Sequence, residues 1–114
     1  MSPGPESSGG YEWDDKKSAE CWRTRGFDFA YAARVFESVS WERPSTQEHD
    51  EQRFVTIGPV DDQMLTVVWT WRGTRRRIIS ARPASREERN GYRTFRQGQA
   101  APRPRGSGEA PPDD

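Results

Sequence analysis

Apolar positions gather into short stretches between residues 11 and 96, and their spacing sorts them into helices and strands. Phe29, Ala32, Ala33 and Phe36 fall at i, i+3, i+4 and i+7, one face of a helix that Asp28 can cap. An earlier helix is expected from Asp14 or Asp15 to Arg25, stopped by Gly26. Its apolar residues, Ala19 and Trp22, give it only a thin buried stripe. Residues 42–52 are polar and read as a loop. Phe54 to Val60 reads as a strand, Met64 to Trp71 as the strongest strand, and residues 75–82 as a third. Asp61-Asp62-Gln63 and Arg72-Gly73-Thr74 are the turns between them. Connections this short require antiparallel pairing, because parallel strands need a crossover. Pro83 ends the last strand. Ser85 and Glu88 then form a capping box that opens a final helix, in which Gly91 costs about 1 kcal/mol relative to Ala. The expected fold is α+β: two N-terminal helices, a three-stranded antiparallel sheet covered on one face, and a C-terminal helix.

Composition changes this picture at the ends. All 13 aromatic residues lie between Tyr11 and Phe95, whereas six of nine Pro and six of ten Gly lie outside residues 11–96. Residues 1–10 and 97–114 lack apolar surface to offset the entropy of ordering, so both are expected to be disordered tails around a domain at 11–96. A unit of that size buries roughly 60–65% of its unfolded surface, and a partner chain would supplement its core. No apolar run is long enough to span a membrane. One cysteine, Cys21, and no secretory leader fit the cytoplasm. One His and one Cys do not make a zinc site, and no Gly-rich phosphate loop is present, so neither metal nor cofactor is expected.

The net charge of zero conceals a separation. Residues 1–71 carry 7 basic and 13 acidic side chains, whereas residues 72–105 carry 11 Arg against Glu87 and Glu88. A stretch of Arg without Lys suits bidentate recognition of phosphate or carboxylate. On the final helix Arg86, Arg89, Arg93 and Arg96 project to one side as a basic ridge.

Several short segments follow one another at telling spacings. The chain opens with Tyr11-Glu12-Trp13-Asp14 followed by Lys17. Gly26 with Phe29 and Ala32, Val35-Phe36, and Arg53-Phe54-Val55-Thr56-Ile57-Gly58 follow. Arg77-Ile78-Ile79-Ser80-Ala81-Arg82 comes next, then Ala84-Ser85-x-x-Glu88-Arg89 and Tyr92. In this order the segments resemble the BrnT toxins, whose opening is [FY]-E-W-D-x-x-K. The resemblance implies a RelE-like fold and a cytoplasmic ribonuclease toxin of a type II toxin–antitoxin system. It implies a BrnA-type antitoxin with a ribbon-helix-helix region, a heterotetramer of the two, and DNA contact only through the antitoxin. The family's N-x-x-K-H-G is replaced by Cys21-Trp22-Arg23-Thr24-Arg25-Gly26. Arg25 stands at the His position; a guanidinium stabilises negative charge but does not shuttle protons near neutral pH. The alternative reading is therefore a catalytically weakened antitoxin-binding protein that co-represses its own operon.

Metal-free RNA cleavage needs an aligned 2′-hydroxyl, stabilised phosphate charge and proton transfer. Arg53, Arg77, Arg82 and Arg25 are the candidates for charge stabilisation. Strict alternation puts Arg77 and Arg82 on opposite sheet faces unless a bulge intervenes. Lys17 and Glu51 are candidates for proton transfer, while His49 reads as a solvated loop residue. Arg75, Arg76, Arg86, Arg89 and Arg93 are the expected RNA-binding residues. Trp69 and Trp71 share a strand face and read as core or interface, with base stacking as the other role.

Overall fold

A computed structural model describes residues 10–46 and 50–100. His49 and most of the expected tails lie outside them. The elements run β1 (Tyr11–Trp13), α1 (Asp15–Arg25), α2 (Phe29–Ala32) continued by a 3-10 turn (Ala33–Glu37), β2 (Trp41–Pro44), β3 (Arg53–Val60), β4 (Gln63–Arg72), β5 (Arg75–Pro83) and α3 (Arg86–Ala100).

The sheet corrects the expected fold. It has five strands in the order β1-β5-β4-β3-β2, not three. It is mixed, because β1 pairs parallel with β5. Both added strands are short edge strands. Tyr11–Trp13 is too short to show a period. In β2 the polar Glu42 and Arg43 and the terminal Pro44 hide the strand, although Pro is tolerated at an edge. The two expected N-terminal helices are in fact one helix and a single turn that tightens to 3-10 geometry. The α+β class and the C-terminal helix remain.

Local chemistry explains the element ends. The Asp14 carboxylate accepts from the Lys16 and Lys17 backbone N–H groups at 2.8 and 3.2 Å. Gly26 closes α1 at φ 85°. Asp61 (φ 56°) and Gly73 (φ 62°) open the two-residue turns of the β3–β4 and β4–β5 hairpins.

The main core lies between one sheet face and the N-terminal elements. Leu65, Val67, Trp69, Ile78 and Ala81 pack there against Phe27, Phe29, Ala32 and Val35. Helix α1 meets the sheet through the small residues Ser18 and Cys21, not through Ala19 and Trp22, and Trp22 is 62% exposed. Ser18 Oγ accepts from Phe29 N at 3.0 Å, and Cys21 Sγ donates to Ala81 O at 3.6 Å. Burial pushes the Cys21 thiol pKa up, as suits a packing residue.

On the other sheet face, α3 covers a single corner. Ile57, Ala84 and Tyr92 are buried there, with Trp41, Val55, Met64 and Phe95 around them. Among the described residues, no helix covers the rest of that face.

Candidate functional site

The open face acquires its chemistry from a β-bulge. Val68 pairs with Ser80 and the next residue, Trp69, pairs with Ile78, so Ile79 is extra on β5. One extra residue reverses the alternation beyond it. Arg77, opposite Thr70, therefore joins Ser80 and Arg82 on the open face. Arg53 lies opposite Thr70 from β3, and Arg43 opposite Val55 from β2. Four arginines from three strands thus share one face.

A hollow of about 310 Å³ lies on this face, with Arg43, Arg53, Val68, Ser80, Arg82 and Glu88 in its lining. Three of the four arginines have carboxylate partners. Arg82 donates from both Nη atoms to the two oxygens of Glu88 at 2.7 and 2.8 Å. Arg77 Nη1 donates to Glu12 at 2.9 Å. Arg53 Nε is 3.4 Å from Glu51, too poorly aligned for a hydrogen bond, and this buried nitrogen has no hydrogen-bond partner. Glu51 also lies 3.5 Å from Arg72. Arg43 stacks over the Trp41 ring at 4.8 Å and has no ion pair among the described residues. Five guanidiniums, with Arg72, thus face three carboxylates, and the groove keeps a positive excess.

Glu88 also accepts from Ser85 N at 2.8 Å and Thr66 Oγ1 at 2.9 Å. Ser85 Oγ accepts from Glu88 N at 3.2 Å, completing the capping box. The Arg82 hydrogen bonds, helped by Ser85 and Thr66 and opposed by burial, bring its pKa down to about 2. Glu88 stays ionised and anchors Arg82; it is not placed to carry a proton near neutral pH.

The remaining expected site residues divide. Lys17 and Arg25 line a separate hollow of about 300 Å³ beside β5. Ile79 and Ser80 line both hollows, so the two adjoin across the bulge. Arg75 is exposed at the β4–β5 turn, while Arg76 lies among the Phe36, Trp69 and Trp71 rings at 4.7–5.0 Å. Arg86, Arg89 and Arg93 are exposed on α3. Trp69 is fully buried, whereas Trp71 is 47% exposed. Arg43 was not expected, because residues 42–52 read as a loop. The alternation of Trp41 and Arg43 on one face was the signal for it.

A wider hollow, about 490 Å³, lies elsewhere, between α1 and α2, lined by Trp13, Trp22, Asp15 and Asp28 among others. Its carboxylates oppose anion binding. Among the described residues no cluster of three His, Cys, Asp or Glu side chains could hold a metal ion.

Residues 13–88 match a family model described as ribonuclease toxin, BrnT, of type II toxin-antitoxin system. That span runs from the last residue of β1 to the start of α3, and so takes in strands β2 to β5 whole. No curated protein matches the chain.

Proposed function

Because the chain belongs to the BrnT family of type II toxin–antitoxin ribonuclease toxins, we propose that its open sheet face binds and cleaves RNA without a metal. The observation that carries this reading is the convergence of Arg43, Arg53, Arg77 and Arg82 on one face through the Ile79 bulge. In the proposed reaction the 2′-oxygen attacks the adjacent phosphorus and the bond to the 5′-oxygen breaks. The products are a 2′,3′-cyclic phosphate and a 5′-hydroxyl. Arg53 and Arg43 stabilise the charge that builds on the phosphate oxygens. Arg77 and Arg82, fixed by Glu12 and Glu88, hold the flanking phosphates. Glu51, partly buried beside Arg53, accepts the 2′-hydroxyl proton, and solvent water protonates the leaving 5′-oxygen. The groove's three carboxylates, Glu12, Glu51 and Glu88, lie beside guanidiniums, which supports a route that recruits no metal ion. Lys17 and Arg25 line the adjoining hollow and add positive charge across the bulge. Arg75, Arg86, Arg89 and Arg93 extend the basic surface.

A type II toxin implies an antitoxin partner. We assign that partner to a BrnA-type protein whose acidic segments cover the basic face, in a heterotetramer that contacts DNA through the antitoxin. We place the complex in the cytoplasm; no helix among the described residues is long and apolar enough to cross a membrane.

Two features favour the second reading, a co-repressor with weakened catalysis. Arg25 stands where the resemblance implies a His, and the groove carboxylates are all beside arginines. Inducing the chain alone in a bacterium separates the two. Growth arrest with RNA breakdown, abolished by Arg53→Ala or Arg77→Ala in folded protein, supports the toxin. Normal growth with intact antitoxin binding supports the co-repressor.

A further inference from the structure

Two tryptophans among the large exposed apolar side chains, Trp22 and Trp71, sit in surroundings of opposite charge. Trp22 lines the hollow that Asp15 and Asp28 make acidic. Trp71 stands at the end of the β4–β5 hairpin against Arg76, on the sheet face of Trp69, and the next pair, Arg72 and Arg75, belongs to the open face. Strand β3 begins at Arg53, opposite Thr70. Beyond that point β4 has no paired strand on the β3 side among the described residues, and Trp71 opposite Arg76 and Arg72 opposite Arg75 form a basic arm.

The Trp71 ring is held in place. It meets Trp69 edge-on at 5.0 Å, and the Arg76 guanidinium lies 5.0 Å from its centroid. Arg76 is itself fixed by Phe36 and Trp69, and its buried Nε has no hydrogen-bond partner. The arm also connects to the groove. Glu51 lies between Arg53 and Arg72, at 3.4 and 3.5 Å, so cationic side chains run from the open face to the hairpin end.

We propose that Trp71 is a nucleobase-stacking residue. Single-stranded RNA held in the groove runs along Arg72 and Arg75, which take its phosphates, and passes round the arm, where a base beyond the groove stacks on the exposed part of the Trp71 ring. A ring already held by its neighbours loses little freedom on binding, and stacking tolerates every base, so the contact supplies affinity with weak sequence preference. The proposal rests on RNA being the ligand of the groove.

The test uses the full chain and a single-stranded oligoribonucleotide with 2′-O-methyl groups, which binds without being cleaved. Trp71→Ala is expected to weaken binding roughly ten- to hundredfold, and Trp71→Phe by less than about fivefold. RNA is expected to quench tryptophan emission in the wild type and to quench far less in Trp71→Phe. That second readout stands if Trp71→Ala fails to fold. Wild-type affinity in a folded Trp71→Ala, or full quenching in Trp71→Phe, overturns the stacking role and leaves the groove reading intact. Loss of antitoxin capture with unchanged RNA affinity also overturns it, in favour of a protein contact. If the wild type does not bind the oligonucleotide, the groove reading falls and the stacking role with it.

Discussion

Glu88 accepts from Arg82, Ser85 and Thr66, and so ties β5, β4 and the start of α3 to one carboxylate. Its pKa, about 2, lies below the unfolded value near 4.5. A depressed carboxylate stabilises the fold above its unfolded pKa, and that contribution is lost as pH falls through the folded pKa. Stability should therefore fall between about pH 4.5 and pH 2. Glu88→Gln should remove most of this dependence and cost roughly 2 kcal/mol at pH 7, allowing for solvent around the half-exposed Arg82. Urea melts of both proteins at pH 7 and pH 3 check this, and equal acid sensitivity would refute it. Glu51 has a different expected signature. Glu51→Gln should slow cleavage about a hundredfold while leaving RNA affinity within about twofold. A matching loss of affinity would instead assign it a positioning role.

At the level of elements, Trp41 and Gly91 join β2 to α3. A Cβ on Gly91 would lie 2.4 and 2.6 Å from Trp41 ring atoms. Helix propensity alone favours Gly91→Ala by about 1 kcal/mol. The clash should outweigh that gain and leave the variant about 1–2 kcal/mol less stable, read as a lower melting temperature. A raised melting temperature would contradict the packing. The α1 caps, both hairpin turns, the capping box and the three long strands were legible because each depends on local chemistry or period. Strands β1 and β2 were not, because three or four edge residues carry little periodicity and their pairing is decided by distant partners. The bulge at Ile79 was legible only as a condition. It brings Arg77 and Arg82 together, and which residue is extra depends on the register against β4. The groove was half visible in the same way. Arg53, Arg77 and Arg82 came from their strands, while Arg43 stayed hidden in a polar run.

For the whole molecule, the charge split along the chain becomes a geometric one, though a milder one than counting suggests. Glu12 and Glu51, from the acidic half, are brought against Arg77, Arg53 and Arg72. The open face keeps a modest positive excess, and α3 adds exposed arginines at its side. RNA affinity should therefore depend on salt. With about four phosphates engaged, it should fall roughly 50-fold between 50 and 200 mM salt, and Arg43→Ala should lower the logarithmic slope by about 0.7. Affinity independent of salt would rule out this electrostatic account. The most direct test of the central claim is single-turnover cleavage of RNA by the purified chain in excess chelator, with end-group analysis of the products. The account predicts 2′,3′-cyclic phosphate ends from the wild type, at least a hundredfold less product from folded Arg53→Ala, and little change in Arg96→Ala. Cleavage that needs added metal, or that survives Arg53→Ala undiminished, would contradict it.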